Sequence, residues 1–531
     1  MAKYILTRLL RGALSVIGVV TLVMLLVYTF MDRSLIFADD PLYNKQKLND
    51  KTVYEQTQWE KYGYLDYISY ADWLTEKVAS GELDREVFDL AVKVGNTKDG
   101  SEDNPTAALY IAQFRSSLAA RGYTVVRLAA QMRPGGIRYK EGGAPRLFAT
   151  RGLPLVNRLL RYFTGLVEVD TTRYAKGDVG ERGVRLTLYD PVYGGERFSP
   201  AIIGNGTKHK YLLYFDSRFP FLHQNFITVN LGLSYSVRRG VDITDTMTDS
   251  QGSFRYGTVH YPTGVTATSA DDLHTAKYLE GSLLADETGL LRARFTDDYT
   301  VVEARRVGLS RIGYSFLIGI LSVVLSYLIG IPLGVLMAKR RGGLFDRFGT
   351  AYIVFIIAVP SLAYIFLFKA LGTTLGFPGT FNTDATAGAW RYYVLPVISL
   401  ALPLIASLMR WQRRYTVDQL SADYVKFARS EGLSEGQIFR LHILRSAIIP
   451  IVHGIPASVL GTLFGAIITE RVYVVPGTGN LLTDAIGLYD NGVIVGITLF
   501  FSVLSVLSVL LGDLLLSLVD PRISFKKRKG V

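Results

Sequence analysis

DYVKFARSEGLSEGQIFRLHILRSAIIP, residues 423–450, is polar, basic and helix-forming, yet it separates two long apolar runs. It reads as two short helices with a sharp break between them. The first runs to about Glu431, with Tyr424 and Ala428 four apart on one face. Gly432 stands where the left-handed stop of a helix belongs. Ser434 opens the second helix, and Gln437 three residues later completes a capping box. Ile438, Leu441 and Arg445 continue at helical spacing, and Pro450 falls inside the next apolar run. A helix–Gly–helix device on a membrane loop is shaped to lie in another protein's groove.

Outward from this stretch, the chain is too apolar for an ordinary soluble enzyme. It is 49% hydrophobic despite 58 lysines and arginines. The net charge of +12 raises nucleic acid as a partner, but the basic residues cluster beside apolar runs. That is membrane topology, not a phosphate-tracking face, and no nucleic-acid partner is expected. There is no cysteine, which excludes disulfides, thiol nucleophiles and Cys-based metal sites. Six histidines are scattered without an H-x-x-x-H pair, so no metal site is expected.

Taken in order, Met1–Arg11 is basic and Gly12–Met31 is long enough to cross a bilayer. Its apolar core is too long for a signal peptide and no small-x-small site follows, so it reads as an uncleaved first span. Residues 32–308 differ, with charges of both signs and many Tyr and Gly. Trp59–Val87 and part of Asn104–Ala120 read as helical. Tyr123–Leu128, Val184–Tyr189 and Lys210–Phe215 read as strands, giving an α+β domain. The remaining spans are expected at Ile312–Met337, Phe348–Leu371, Tyr392–Trp411, Ala447–Thr469 and Gly492–Leu518.

Six spans make alternation testable by charge. Arg8 and Arg11, Lys339–Arg347, Arg413–Arg445 and Arg522–Lys529 fall on one side. The short loops opposite hold little beyond Arg391 and Arg471. The positive-inside rule puts both termini in the cytoplasm and 32–308 outside the cell.

Several residues within the spans invite functional readings. Pro360, Pro396 and Pro403 lie inside spans, where a proline bends the helix and frees a carbonyl, and Ser361 follows the first of them. Lys369, near the end of its span, is expected to snorkel to the interface. Glu470 and Asp513 are carboxylates at or in apolar runs, Asp513 being the more deeply placed and facing protein. No Walker A loop is present. Gly204–Lys210 (GNGTKHK) lacks the G-K-[ST] end and reads as a turn, and there is no G-x-S-x-G elbow.

The 423–450 stretch resembles the cytoplasmic coupling loop of permease subunits of ABC importers, and in particular of oligopeptide and dipeptide permeases. Their D-Y-V-x-x-A-x-x-x-G-L-S is met by Asp423, Tyr424, Val425, Ala428, Gly432, Leu433 and Ser434. Lys426 and Phe427 depart from the Glu-Ala of the wider importer pattern, as does Arg445 from its Pro. The opening YILTRLLRG from Tyr4, IGIPLG from Ile329, VVPGTGNLL from Val474 and the closing Asp520-Pro521-Arg522 are also similar to this family. Family permeases carry only a short loop where 32–308 stands, so most of that region reads as an insertion. Val156–Asp170 and Leu231-Gly232-Leu233-Ser234 with Val241 read as remnants of the short loop.

The resemblance implies a membrane all-α fold: a six-transmembrane-helix permease domain with a large extracellular α+β insertion between spans 1 and 2. Its parts are residues 1–31, the insertion 32–308, the core 309–521 with coupling loop 412–446, and the tail 522–531. Function as the permease subunit of an ATP-driven oligopeptide importer follows, with ATP and Mg held by partner subunits and no cofactor on this chain. The implied partners are a second homologous permease, two cytoplasmic ATPases, an extracellular substrate-binding protein, the peptide and the lipid bilayer. Asp423, Tyr424, Ala428, Gly432, Leu433, Ser434, Gln437 and Arg440 are the expected ATPase-coupling residues. Pro360, Ser361, Pro403, Glu470, Pro476, Gly477 and Gly479 are the pathway or gating candidates. The alternatives are a membrane-anchored receptor or enzyme acting through its extracellular domain, or a related permease for nickel or oligosaccharides.

Overall fold

The computed structural model describes residues 2–519, except 47, 98–104, 129–146, 176–178, 191–197, 217–220, 261–265, 270–273, 275, 279–299, 302–305 and 386. Asp520-Pro521-Arg522 and the basic tail lie outside the described residues. Helix α1 spans Ala2–Phe30. The polar region that follows holds α2 (Pro41–Lys45), α3 (Leu48–Lys61), β1 (Leu65–Ser69), α4 (Tyr70–Ala79), α5 (Arg85–Thr97) and α6 (Pro105–Ala120). Next come β2 (Thr124–Arg127), β3 (Leu147–Gly152), α7 (Leu155–Thr164), β4 (Val167–Val169), β5 (Gly183–Thr187) and β6 (Ala201–Asn205). Strands β7 (Tyr211–Asp216), β8 (Phe221–Gln224) and β9 (Ile227–Val229) and helix α8 (Ile243–Thr248) complete its main elements.

The apolar half contains α9 (Arg311–Lys339), α10 (Leu344–Ala358), α11 (Ser361–Thr374), α12 (Arg391–Leu420), α13 (Asp423–Ser430) and α14 (Glu435–Ile438). It continues through α15 (Leu444–His453), α16 (Ile455–Tyr473), α17 (Thr478–Gly487) and α18 (Asn491–Val519).

Among the described residues, five helical runs are long and apolar enough to cross a membrane, and α10 with α11 makes a sixth if that bent pair is one span. The third span expected at 348–371 is a bent pair of helices, broken at the proline read as a bend. Pro360 has no N–H to continue the helix, Val359 before it turns extended, and α10 and α11 meet at 113°. The fifth span belongs to a helical run from Glu435 to Tyr473, broken at Gly454.

The apolar half is organised by the seam between α9 and α12. A Cβ on Gly330 would lie 2.8 Å from Leu408 Cβ, and one on Gly334 would lie 2.9 Å from the Met409 carbonyl. Glycine four apart therefore lets two backbones touch. The hydroxyls of Ser322 and Ser326 donate across the seam to the carbonyls of Val397 and Ala401, at 3.0 and 3.2 Å.

The polar region is α+β. Strands β1-β3-β2 form an antiparallel sheet, β5-β6-β7-β8 a second, and β4 pairs with β9. The helix expected across Trp59–Val87 is instead helix, strand and helix. Gly63 at φ +72 stops α3, and β1 then alternates buried Leu65 and Tyr67 with Asp66, which accepts from Arg151 and Arg161. The GNGTKHK stretch is the turn between β6 and β7, with Gly206 left-handed, as read from sequence.

This region is fastened to the apolar half through Asp490. Its buried Oδ2 accepts from Ser234 Oγ at 2.8 Å and from the N–H groups of Tyr235, Ser236 and Val237 at 2.9, 2.8 and 3.2 Å. Gly492 and Gly496 let α18 meet the Leu231 and Leu233 carbonyls, which leave no room for a Cβ. A second buried carboxylate, Asp40, accepts from Tyr54, Tyr235 and Arg239 and from the N–H groups of Leu42 and Tyr43. Burial alone pushes Asp40 up, but the hydrogen bonds from Tyr235, Tyr43, Tyr54 and Leu42 outweigh it and hold the group below the usual carboxylate range.

Candidate functional site

The site candidates gather in three places along the bundle. At one end, α13 and α14 form a small element with its own core of Val425, Ala428, Ile438 and Ile443. Gly432 has φ +83, the left-handed value expected of it. Ser434 and Gln437 make the capping box: Ser434 N–H donates to Gln437 Oε1 at 3.0 Å, and Gln437 N–H donates to Ser434 Oγ. Arg429 clamps Glu435 across the turn at 2.6 and 3.2 Å.

These contacts sort the coupling candidates. Ala428 is buried in the element's own core, and Leu433 packs on that core. Gly432, Ser434 and Gln437 shape the turn. Asp423, Tyr424 and Arg440 face outward, Asp423 bonded to Lys426 and Tyr424 to Gln419. The shared face expected for Tyr424 and Ala428 is thus divided between surface and core.

Sequence reasoning did not single out Phe427, the most exposed large apolar side chain of this element at 65%, nor the outward turn of Leu441. Residues 439–443 form a π-helical turn. The extra residue per turn brings Ile443, five after Ile438, to the inner face and turns Leu441 outward. Phe427 was visible as a large apolar residue among charges, whereas the π turn has no sequence signal that we can name.

Midway, Ser361 and Pro403 line one cavity of about 230 Å³ with Tyr364, Ser399, Thr462 and Thr469. It lies between α11, α12 and α16, and Pro360 caps α11 immediately before Ser361 without lining the cavity itself. The Thr469 hydroxyl is buried and has no hydrogen-bond partner. Pro396 and Pro403 both sit within α12, which stays one helix.

At the end opposite α13 and α14, Glu470, Pro476, Gly477 and Gly479 come together. Ser315 Oγ donates to Glu470 at 2.6 Å, and the Asn480 N–H donates to it at 2.9 Å from the first turn of α17. A carboxylate at a helix N-terminus is favourably placed. A Cβ on Gly477 would fall 2.3 Å from this carboxylate, and one on Gly479 would fall 2.7 Å from Ile467 Cα. Both glycines are therefore needed by close approach.

Val474, at φ +57, holds a left-handed backbone that a β-branched residue rarely adopts. Such strain gathers at functional sites and was not legible in the sequence. Glu470 is fully buried, whereas the Asp513 side chain keeps 16% exposure, reversing the order of depth expected for them. Asp513 does face protein, accepting from Tyr4 at 2.7 Å and pairing with Arg8 at 3.0 Å. Lys369 donates to the Val472 carbonyl at 2.7 Å.

Comparison with known proteins agrees with this arrangement. Residues 330–525 match the family described as binding-protein-dependent transport system inner membrane component. The chain is 34% identical to the oligopeptide transport system permease protein AmiC of Streptococcus pneumoniae over the whole of both chains, so the likeness includes 32–308. It is 32% identical to the dipeptide transport system permease protein DppB and to the oligopeptide transport system permease protein AppB, both of Bacillus subtilis. These matches cover 40% and 41% of this chain and 68% and 71% of theirs.

Proposed function

The chain belongs to the binding-protein-dependent transport inner-membrane components and is a multi-pass permease subunit of an ABC importer; from that premise we propose how it works. Its cargo is oligopeptide, the substrate class in the names of relatives that match it over most or all of their length. It forms half of the translocation pathway, and a second homologous permease forms the other half. Six crossings are made, the third of them through the bent pair α10–α11.

The coupling element carries this reading. A glycine-hinged, capped pair of helices with its own core presents Tyr424, Phe427 and Leu441 to solvent. Apolar side chains on a rigid knob suit a groove on another protein. The groove belongs to a cytoplasmic ATPase, one of two, which bind ATP and Mg; this chain hydrolyses nothing and binds no cofactor. ATPase closure moves α13–α14, and α15 and α12 pass the motion to the cavity at Ser361 and Pro403. The Glu470 turn closes the far end. Such rocking around a central site is how transporters alternate access.

Residues 32–308 lie outside the cell and both termini inside. The Asp490 clamp fixes that domain over the far end of the pathway, where an extracellular binding protein delivers peptide. Co-purification in mild detergent with uptake of labelled peptide tests the proposal. Two ATPases, a second permease and ATP-dependent uptake are expected. A chain that purifies alone from cells making all the subunits, and whose loss leaves uptake unchanged, would refute it.

A further inference from the structure

A cavity of about 310 Å³ lies where α1, α7, α18 and the segment around Leu231 meet, on the flank of the bundle and apart from the cavity at Ser361 and Pro403. Its described lining holds three cations, Lys61, Arg158 and Arg161, and no carboxylate. Arg161 is engaged by Asp66 at 3.0 Å. The Arg158 guanidinium sits over two rings, 3.7 Å from the Tyr28 centroid and 4.1 Å from that of Tyr64. Cation–π contact fixes its position, and Arg158 also hydrogen-bonds with the side chains of Tyr28 and Tyr64, which leaves one terminal nitrogen unused.

Three polar atoms on this lining are buried without a hydrogen-bond partner: Arg158 Nη2, the Tyr162 hydroxyl and Asn491 Oδ1. Buried polar atoms left unpaired are rare and costly, and three around one cavity ask for a ligand. The rest of the wall is apolar, with Met24, Ile36, Leu231 and Val495. The cavity therefore has a cationic, donor-bearing part and a hydrocarbon part.

Its surroundings indicate the ligand. Leu22, Leu25 and Leu26 of α1 are exposed, as are Val156 and Leu160 on the neighbouring α7. In a membrane these side chains meet acyl chains, and tyrosines at a span's end mark the headgroup level. We propose that the cavity binds the phosphodiester headgroup of an anionic membrane phospholipid. Arg158 and Tyr162 donate to its phosphate oxygens, and Asn491 accepts from a hydroxyl of the headgroup. Lipid bound there holds α1, α7 and α18 together at the root of the inserted domain. The inference rests on α1 and α18 being membrane spans and not on the identity of the cargo.

The test uses the full-length protein, purified and then stripped of lipid, with phosphatidylglycerol as probe and phosphatidylcholine and inorganic phosphate as controls. Native mass spectrometry reads retained lipid, and thermal unfolding reads stabilisation. Phosphatidylglycerol, and neither control, is expected to be retained and to raise the unfolding midpoint. Tyr162→Phe removes only an unpartnered hydroxyl, so a purely structural role predicts no loss. The proposal predicts phosphatidylglycerol binding about tenfold weaker, the loss of one charge-assisted hydrogen bond. Arg158→Gln is expected to bind more weakly still, with Arg158→Lys recovering part of the affinity. Equal retention by wild type and Tyr162→Phe would overturn the proposal. So would an equal shift from inorganic phosphate, which would indicate a free-anion site, or displacement of lipid by transported peptide, which would indicate a substrate subsite.

Discussion

Replacing Gly432 separates the shape of the coupling element from its chemistry. Gly432 has φ +83, and a Cβ built there meets no atom within 4 Å. Substitution therefore costs backbone strain alone, with no clash to confuse it. An L-residue in the left-handed region costs roughly 1–2 kcal/mol, and a β-branched one lies at the upper end or beyond. Whole-protein stability is on the order of 5–15 kcal/mol, so Gly432→Val should still insert and fold.

Locally the balance is different. The turn is held by Gly432 N–H to Arg429 O at 3.1 Å, Leu433 N–H to Ala428 O at 3.3 Å, and the exposed Arg429–Glu435 pair. Solvent screens such an exposed pair, which contributes little. A strain of about 2 kcal/mol shifts the local equilibrium more than tenfold. Gly432→Val should thus lose most peptide-stimulated ATPase activity and uptake in proteoliposomes carrying all the subunits. Gly432→Asn, whose side chain tolerates this backbone, should stay near wild type, and Gly432→Ala should fall between. Full activity of Gly432→Val, or failure of Gly432→Asn equal to that of Val, would refute the reasoning.

Other outcomes follow from the same structure. Gly477→Ala drives a Cβ into the Glu470 carboxylate and should cut uptake sharply, whereas Gly18→Ala, where a Cβ meets nothing, should leave uptake unchanged. Asp490→Ala leaves the donors of residues 234–237 unmatched and should cost at least about 1–3 kcal/mol, read as a lower unfolding midpoint and faster proteolytic release of 32–308. Asp40 is held below the usual carboxylate range, so its charged form favours the fold above about pH 4 and that contribution is lost as pH falls through its lowered value. Acid unfolding of the 32–308 domain should therefore begin below about pH 4, and Asp40→Asn should be less stable at neutral pH and flatter in acid.

What was legible in the sequence was local. Gly432, Ser434 and Gln437 announce their roles because caps and left-handed turns are decided within a few residues. The apolar runs announce the spans for the same reason. Pro360 marked a bend, but its 113° angle is set by packing that a linear pattern does not record. Asp490 was passed over because its partners lie more than 250 positions away. The outward turn of Leu441 was not legible because one π turn shifts the phase of an otherwise ordinary helical pattern. The strand at 65–69 was hidden inside a stretch whose neighbours on both sides are helical.

The absence of cysteine makes the central claim directly measurable, since a single introduced thiol has no background in this chain. Phe427→Cys, in cells making all the subunits, should form a cross-link with the ATPase that weakens or strengthens as nucleotide is changed. The same thiol should resist a membrane-impermeant reagent in intact cells, while Asp72→Cys in the 32–308 domain should be labelled by it. Labelling of Phe427→Cys from outside, with no ATPase adduct, would contradict the account.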